Sequence, residues 1–326
     1  MPAVKNPSMT AVTRVPGASL DVVLPAFNEA ANLPALFAQL QGVLGALTPR
    51  WRLLLIDDGS SDDTASVALQ AIQGGLPLRY VRLSRNFGKE AALTAGLALA
   101  DADRVLLMDA DGQHAPDLVA AMHEAWLGGA DMACAVRANR DEEAWLKRLG
   151  TRLFYRFVNT FTRLHIPPDA GDFRLLDRRV VEALNALPER NRFMKGLYAW
   201  VGYRTVFLPY KPRPRAGGRT HFSLGRLLQL AFTGVTAFSN LPLRIWSSLG
   251  GVIALAALGY GAWIAVEHVL YGHPIPGWPT VVVGLMFFSG VQLLSIGIIG
   301  EYVGRIFDEV KQRPVYLVAQ DTGNPP

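Results

Sequence analysis

Leu106–Leu118 reads LLMDADGQHAPDL. An apolar run of the kind that fills a buried strand ends in two carboxylates one residue apart, with Gly112, Gln113 and His114 behind them. Isolated charge at the edge of a core is costly, so Asp109 and Asp111 need a partner. Carboxylates clustered at a strand end most simply bind a hard divalent cation, Mg²⁺ or Mn²⁺, which takes oxygen ligands and leaves part of its shell to water and phosphate. A calcium loop is the rival, but an EF-hand wants Gly at its sixth position, whereas Gly112 follows Asp111 at once. Asp-x-Asp alone decides nothing; its neighbours do.

Upstream, the same pattern recurs. SLDVVLP precedes the amphipathic NLPALFAQLQGVLGAL, WRLLLIDD precedes DDTASVALQAI, LRYVRL precedes GKEAALTAGLALA, and RVLLMDAD precedes PDLVAAMHEAWL, with DMACAV closing the series. Strands alternating with helices of this length predict an α/β fold with a mainly parallel sheet covered on both faces. Ligands of such sheets bind at the carboxyl ends of the strands. Asn28 and Glu29, Asp57 and Asp58, Arg85 and Asn86, and Asp109 and Asp111 all fall there. Helix capping is the plainer reading for Asp57, Asp58 and Asp62. Neither a P-loop nor a Gly-x-Gly-x-x-Gly fingerprint is present.

Hydrophobic residues make up 50% of the 326, charged residues 18%, and the mean hydropathy is +0.20, so part of the chain is expected in a membrane. The single Cys134 has no metal-ligand neighbours and reads as a small core residue. The first twenty residues contain no continuous apolar segment and do not read as a secretory signal. The net charge of +5 suits nucleic acid, an anionic membrane or phosphorylated ligands, and the placement of the charges decides among them.

KPRPRAGGRTHFS is rich in Pro, Gly and basic residues and reads as a mobile loop over 211–222. Helical spacing with few charges then suggests an interfacial amphipathic helix at 223–241. Two apolar segments, about 245–266 and 281–299, approach the ~20 residues that cross a bilayer. The connecting EHVLYGHPIPGWP carries no Lys or Arg, whereas Arg219, Arg226, Arg244, Arg305, Lys311 and Arg313 flank the pair. The positive-inside rule puts both ends in the cytoplasm, with Trp246, Trp278 and Tyr302 as interfacial anchors. The expected organisation is a tail at 1–19, a catalytic domain at 20–222, the interfacial helix, a transmembrane hairpin at 242–303 and a cytoplasmic tail at 304–326.

The succession VVLPAFNEAANL, LLLIDDGSSDDT, RLSRNFGKEAALTAGL and LLMDADGQHAPDL resembles the nucleotide-sugar domain of glycosyltransferase family 2. The resemblance continues through GDFRLLDR, RAGGRTHFSL and IIGEYVGRIFDEVKQRPVYLV, and is similar to the polyprenyl-phosphate glycosyltransferases, with dolichyl-phosphate mannose synthases more distant. It implies a GT-A-like domain and an inverting transfer of sugar, glucose from UDP-glucose foremost, to undecaprenyl phosphate at the cytoplasmic face of a bacterial-type inner membrane. N-acetylglucosamine, mannose or an aminoarabinose derivative are the alternative sugars; a nucleotidyltransferase and a non-catalytic scaffold or transporter are the rival classes.

By the same resemblance Pro25, Phe27, Asn28 and Glu29 line the nucleotide, and Asp57 faces its base while Asp58 orders the turn. Asp109 and Asp111 hold Mg²⁺ or Mn²⁺ on the diphosphate, with Gln113 as a further ligand. Asp172 of GDFRLLDR stands at the catalytic position, as base or as orienter of Arg174 and sugar hydroxyls. Arg213, Arg215, Arg219 and His221 contact lipid phosphate or diphosphate, Arg215 as a catalytic cation. His114 stands where many relatives carry Asp and is given no ligand role. The implied partners are a nucleotide-diphosphate sugar, polyprenyl phosphate and membrane lipid, with no nucleic acid, in a homo-oligomer for which a homotetramer is one form.

Overall fold

A computed structural model of the chain describes residues 14–15, 17–112, 117–137, 170–190, 192–210, scattered positions between 250 and 270, and 277–323. These fall into two compact units: residues up to Tyr210 together with Pro314–Gly323, and residues from Gly250 to Arg313.

The five expected strands form: β1 (Leu20–Ala26), β2 (Trp51–Asp57), β3 (Leu78–Leu83), β4 (Arg104–Leu107) and β5 (Met132–Arg137). Between them lie α1 (Leu33–Leu47), α2 (Thr64–Gln73), α3 (Lys89–Leu99) and α4 (Leu118–Leu127). β6 (Ala170–Asp177), α5 (Arg178–Asn185), α6 (Met194–Trp200) and β7 (Thr205–Tyr210) complete the middle of the chain. β8 (Val318–Asp321) comes after α7 (Trp278–Val310). The eight strands form one sheet in the order β7-β5-β6-β4-β1-β2-β3-β8. β1 runs parallel to β2 and β4, β2 to β3, and β5 to β7, whereas β6 lies antiparallel between β4 and β5, and β8 antiparallel on β3. The sheet is therefore mixed and mostly parallel.

Central strands covered on both faces need apolar side chains on both. Val22, Val23, Leu24, Leu53, Leu54, Leu55 and Val105–Leu107 are all fully buried. Small residues let α3 lie close to this sheet: a Cβ on Gly96 would stand 2.2 Å from Val23 Cγ1. Cys134 is free and buried in β5, the small core residue its surroundings suggest. Arg14, inside the segment expected to be a tail, pairs with Asp131 at 2.8 Å and Asp177 at 3.3 Å, so this residue is tied to the sheet's end.

In the second unit, α7 contains the one helix among the described residues long and apolar enough to cross a membrane, Phe287–Val310. It continues beyond position 303, and 304–326 holds its last turns and β8 rather than tail alone. The described positions between 250 and 270 are helical. The rest of the first expected span, the interfacial helix at 223–241 and the basic loop at 211–222 lie outside the described residues.

Candidate active site

The carboxyl ends of β1, β2 and β4 and the loop before α3 surround a cavity of about 380 Å³. Pro25, Ala26, Phe27 and Glu29 line it from β1, Asp58 from β2, Asn86, Gly88, Lys89 and Ala92 from the approach to α3, and Asp109, Ala110 and Asp111 from β4. Because β6 is antiparallel to β4, with Leu107 opposite Arg174, Asp172 arrives at the same end of the sheet.

The β1 and β2 loops are stitched together by backbone donors. The Asn28 amide donates to Ser60 Oγ at 2.9 Å, and Asn28 Oδ1 accepts from the Ser61 amide at 2.9 Å. Asn28 adopts φ +58°, a left-handed conformation that Asn tolerates better than most residues. The Glu29 amide donates to Thr64 Oγ1 and the Ala30 amide to Asp62 Oδ2, each at 3.1 Å. Burial pushes the Asp62 carboxyl up, but hydrogen bonds from Thr64 and the Ala30 amide outweigh it and hold the group low. Asp62 and Asn28 thus latch the loops, and neither is among the lining residues.

The adjacent carboxylates Asp57 and Asp58, at the end of β2, take different partners. Asp57 is fully buried: Oδ1 accepts from the Ser60 amide at 2.7 Å and Oδ2 from the Tyr80 hydroxyl at 2.6 Å. Leu55 pairs with Tyr80 and Asp57 with Arg82, so the phenol lies diagonally across on the same face and claims the carboxylate. Asp58 points the other way and lines the cavity, its oxygens accepting from the Phe87 amide at 2.7 Å and the Gly88 amide at 2.9 Å. The sequence leads one to expect Asp57 at the base and Asp58 in the turn; in the fold Asp57 is a buried brace, and Asp58 both holds the loop after β3 and borders the cavity. Burial leads Asp58 to bind its proton more tightly than an ordinary carboxyl, against those two amides. Gly59, at φ +73°, makes this approach feasible, since a Cβ there would lie 2.6 Å from the Arg85 carbonyl carbon.

Asp109 and Asp172 meet through Lys89. The ammonium stands 2.6 Å from Asp109 Oδ1 and 2.8 Å from Asp172 Oδ2. Burial opposes its charge, but Asp172 and Asp109 overcome that and hold Lys89 above the usual lysine range. Asp172 Oδ1 is buried without a hydrogen-bond partner among the described residues, as is the Tyr198 hydroxyl. Arg174, itself buried, stacks at 4.0 Å over the Tyr198 ring and donates to the Gly171 carbonyl at 3.0 Å. Glu90, next to Lys89, accepts from the Met194 amide at 3.1 Å; burial first, then the charge of Asp172, raise it to about 7. Glu29 is raised by burial and by the charges of Asp111 and Asp109, while its hydrogen bond from Asn32 works the other way.

The sequence-expected Pro25, Phe27, Glu29, Asp109 and Asp111 share this cavity, and Asp172 joins through Lys89. Gln113, His114, Arg213, Arg215, Arg219 and His221 lie outside the described residues. Lys89 and Glu90 carry no expectation in the sequence; the signal available is their place at a strand-to-helix junction beside the other polar residues. No group of three or more Asp, Glu, His or Cys side chains spaced as a complete metal site occurs among the described residues. Asp109 and Asp111 nevertheless both border the cavity, hard-oxygen donors that suit a divalent ion taking the rest of its shell from phosphate and water.

Comparison with known proteins shows the family of the chain. A family model described as glycosyl transferase family 2 matches residues 21–184, and one described as the GtrB C-terminal hairpin matches residues 241–306. An uncharacterized glycosyltransferase of Synechocystis is 42% identical over 300 residues, 92% of this chain and 94% of that protein. A prophage-derived bactoprenol glucosyl transferase of Shigella flexneri is 39% identical over 308 residues, 94% of this chain and 99% of that protein. Among solved structures, a glucosyl-3-phosphoglycerate synthase from Mycobacterium tuberculosis matches at 20% identity and a TM-score of 0.47, over 68% of this chain and 80% of that one.

Proposed function

Because the chain belongs to glycosyl transferase family 2, we propose that it transfers a sugar, glucose from UDP-glucose foremost, to the phosphate of a polyprenyl lipid such as undecaprenyl phosphate. The observation that carries this reading is the meeting of Asp109 and Asp172 on one ammonium at a carboxylate-walled cavity, at the strand ends where such sheets bind ligands. The hairpin match at 241–306 and the bactoprenol glucosyl transferase name of the Shigella relative support a lipid acceptor.

In this reading Phe27, Asp58 and Asn86 border the nucleoside, and Asp109 and Asp111 would hold Mg²⁺ or Mn²⁺, with Gln113 as the further ligand expected from the sequence. Such an ion supplies Lewis acidity at the diphosphate. The acceptor's phosphate oxygen attacks the anomeric carbon from the face opposite the diphosphate; the new C–O bond forms as the old one breaks, and the nucleoside diphosphate leaves with the electron pair. A phosphate monoester loses its second proton at about pH 6, so the nucleophile needs no base at neutral pH. Asp172 therefore acts by orientation, using the open lone pairs of its buried Oδ1 towards a sugar hydroxyl. Arg213, Arg215, Arg219 and His221 supply cations to the two phosphorylated substrates. The catalytic unit faces the cytoplasm of a bacterial-type inner membrane, and the protein works as a homo-oligomer.

Membranes containing the protein, undecaprenyl phosphate and a panel of labelled nucleotide sugars test this reading, with and without chelator. Label should enter the lipid phase from UDP-glucose and disappear with Asp111→Asn. Absence of lipid label from every sugar refutes the transfer, and indifference to chelator removes the metal. Label from another nucleotide sugar alone replaces glucose.

A further inference from the structure

Four carboxylates, Glu29, Asp58, Asp109 and Asp111, line the cavity among the described residues, and Lys89 is the one basic side chain among those. Lys89 opens α3, and its backbone is fixed from behind because Asp58 holds the amides of Phe87 and Gly88. The ammonium has three donors, and it directs them at oxygens from two strands, Asp109 Oδ1 on the β4 side and Asp172 Oδ2 on β6. Asp172 Oδ1 has no hydrogen-bond partner among the described residues, so Lys89 supplies the charge-assisted contact that orients this carboxylate. A divalent ion on Asp109 would compete for the same Oδ1 lone pairs and would be repelled by the ammonium beside them.

We propose that Lys89 is a resident counter-cation that a divalent ion displaces from Asp109, and that the same ammonium remains on Asp172 as its positioning residue. Ion loading and the setting of Asp172 are then linked through one side chain. The ammonium supplies at Asp109 part of the positive charge that a divalent ion would bring there. This inference rests on the metal assignment above, and its readout is ion binding without turnover.

The test is Mn²⁺ titration of the full-length, detergent-solubilised protein, followed by electron paramagnetic resonance, with no nucleotide present. Lys89→Met should bind Mn²⁺ at least about tenfold more tightly than the unaltered protein, since it loses a competing charge at contact distance. Lys89→Arg, which keeps the charge, should stay within about threefold of the unaltered protein, and adding Asp109→Asn to Lys89→Met should abolish the gain. In turnover, Lys89→Met should lower kcat while less Mn²⁺ half-saturates it, a combination that a purely structural role would not produce. Lys89→Gln repeats the comparison if the Met variant does not fold. Unchanged or weaker Mn²⁺ binding by the neutral variants overturns the inference. So does an absence of Mn²⁺ binding in every variant, while glycosyl transfer itself is judged separately by the labelled-sugar assay.

Discussion

Replacing Gly96 by Ala should destabilise the catalytic unit although it improves the local helix. The added Cβ would lie 2.2 Å from Val23 Cγ1, 3.1 Å from Cγ2 and 3.2 Å from Cβ. Val23 is β-branched, stiff and fully buried in the central strand, so no flexible side-chain end can swing aside. Overpacking of a filled core costs about 1–3 kcal/mol, and so close an approach belongs at the upper end. Removing a helical glycine returns about 1 kcal/mol, which leaves a net loss of about 1–2 kcal/mol. At about 2–4 °C per kcal/mol for a domain of this size, Tm should fall by about 2–8 °C. Thermal unfolding of the purified protein measures this, and Val23→Ala combined with Gly96→Ala should lose less than the sum of the single changes. Sugar transfer should fall as well, because α3 carries Lys89 at its first turn. A Gly96→Ala protein as stable as the original, or a strictly additive double variant, would refute the close-packing argument.

Two further outcomes follow from the same geometry. Gly59→Ala forces a side chain into φ +73° against the Arg85 backbone, so the β2 and β3 loops must part; the KM for the nucleotide sugar should rise several-fold, and an unchanged KM would show that this loop contact does not shape the nucleotide site. Glu90 binds its proton more tightly folded, at about 7, than its ordinary value of 4.5. Stability should consequently fall as pH rises from about 4.5 through about 7 and level off above. Glu90→Gln should remove that part of the slope in Tm measured against pH, and an identical slope would show that Glu90 is not its source.

The strand ends were legible because parallel strands must be apolar on both faces and polar where a ligand arrives. Asp109, Asp111 and Glu29 stand out on that account, and they do line the cavity. β6 was not legible as a strand: GDFRLLDR carries Arg174 and Asp177 inward, and only its insertion between β4 and β5 and the partners found there make that tolerable. Which of Asp57 and Asp58 meets the cavity depends on Tyr80 across the sheet, a contact that neither residue's own neighbours announce. Lys89 is silent for the same reason, since its partners come from β4 and β6. β8 offers four residues, Val-Ala-Gln-Asp, without any alternation to mark a strand. Its place is set by partners on β3: Asp321 accepts from Arg79 at 2.9 and 2.6 Å, and the Tyr80 amide donates to Thr322 Oγ1 at 2.9 Å.

That last strand imposes a parity rule on the chain. Tyr80 and Thr322 are 242 residues apart and hydrogen-bonded in one sheet, so both must lie on the same side of any bilayer that the intervening chain enters. Crossings between β7 and β8 can therefore only be even in number. If Phe287–Val310 crosses, it cannot be the sole crossing between those two strands, whatever the charge of the loops. The final strand can also dock only after the chain has returned, which makes closure of the sheet's edge a built-in record that insertion ended on the correct side.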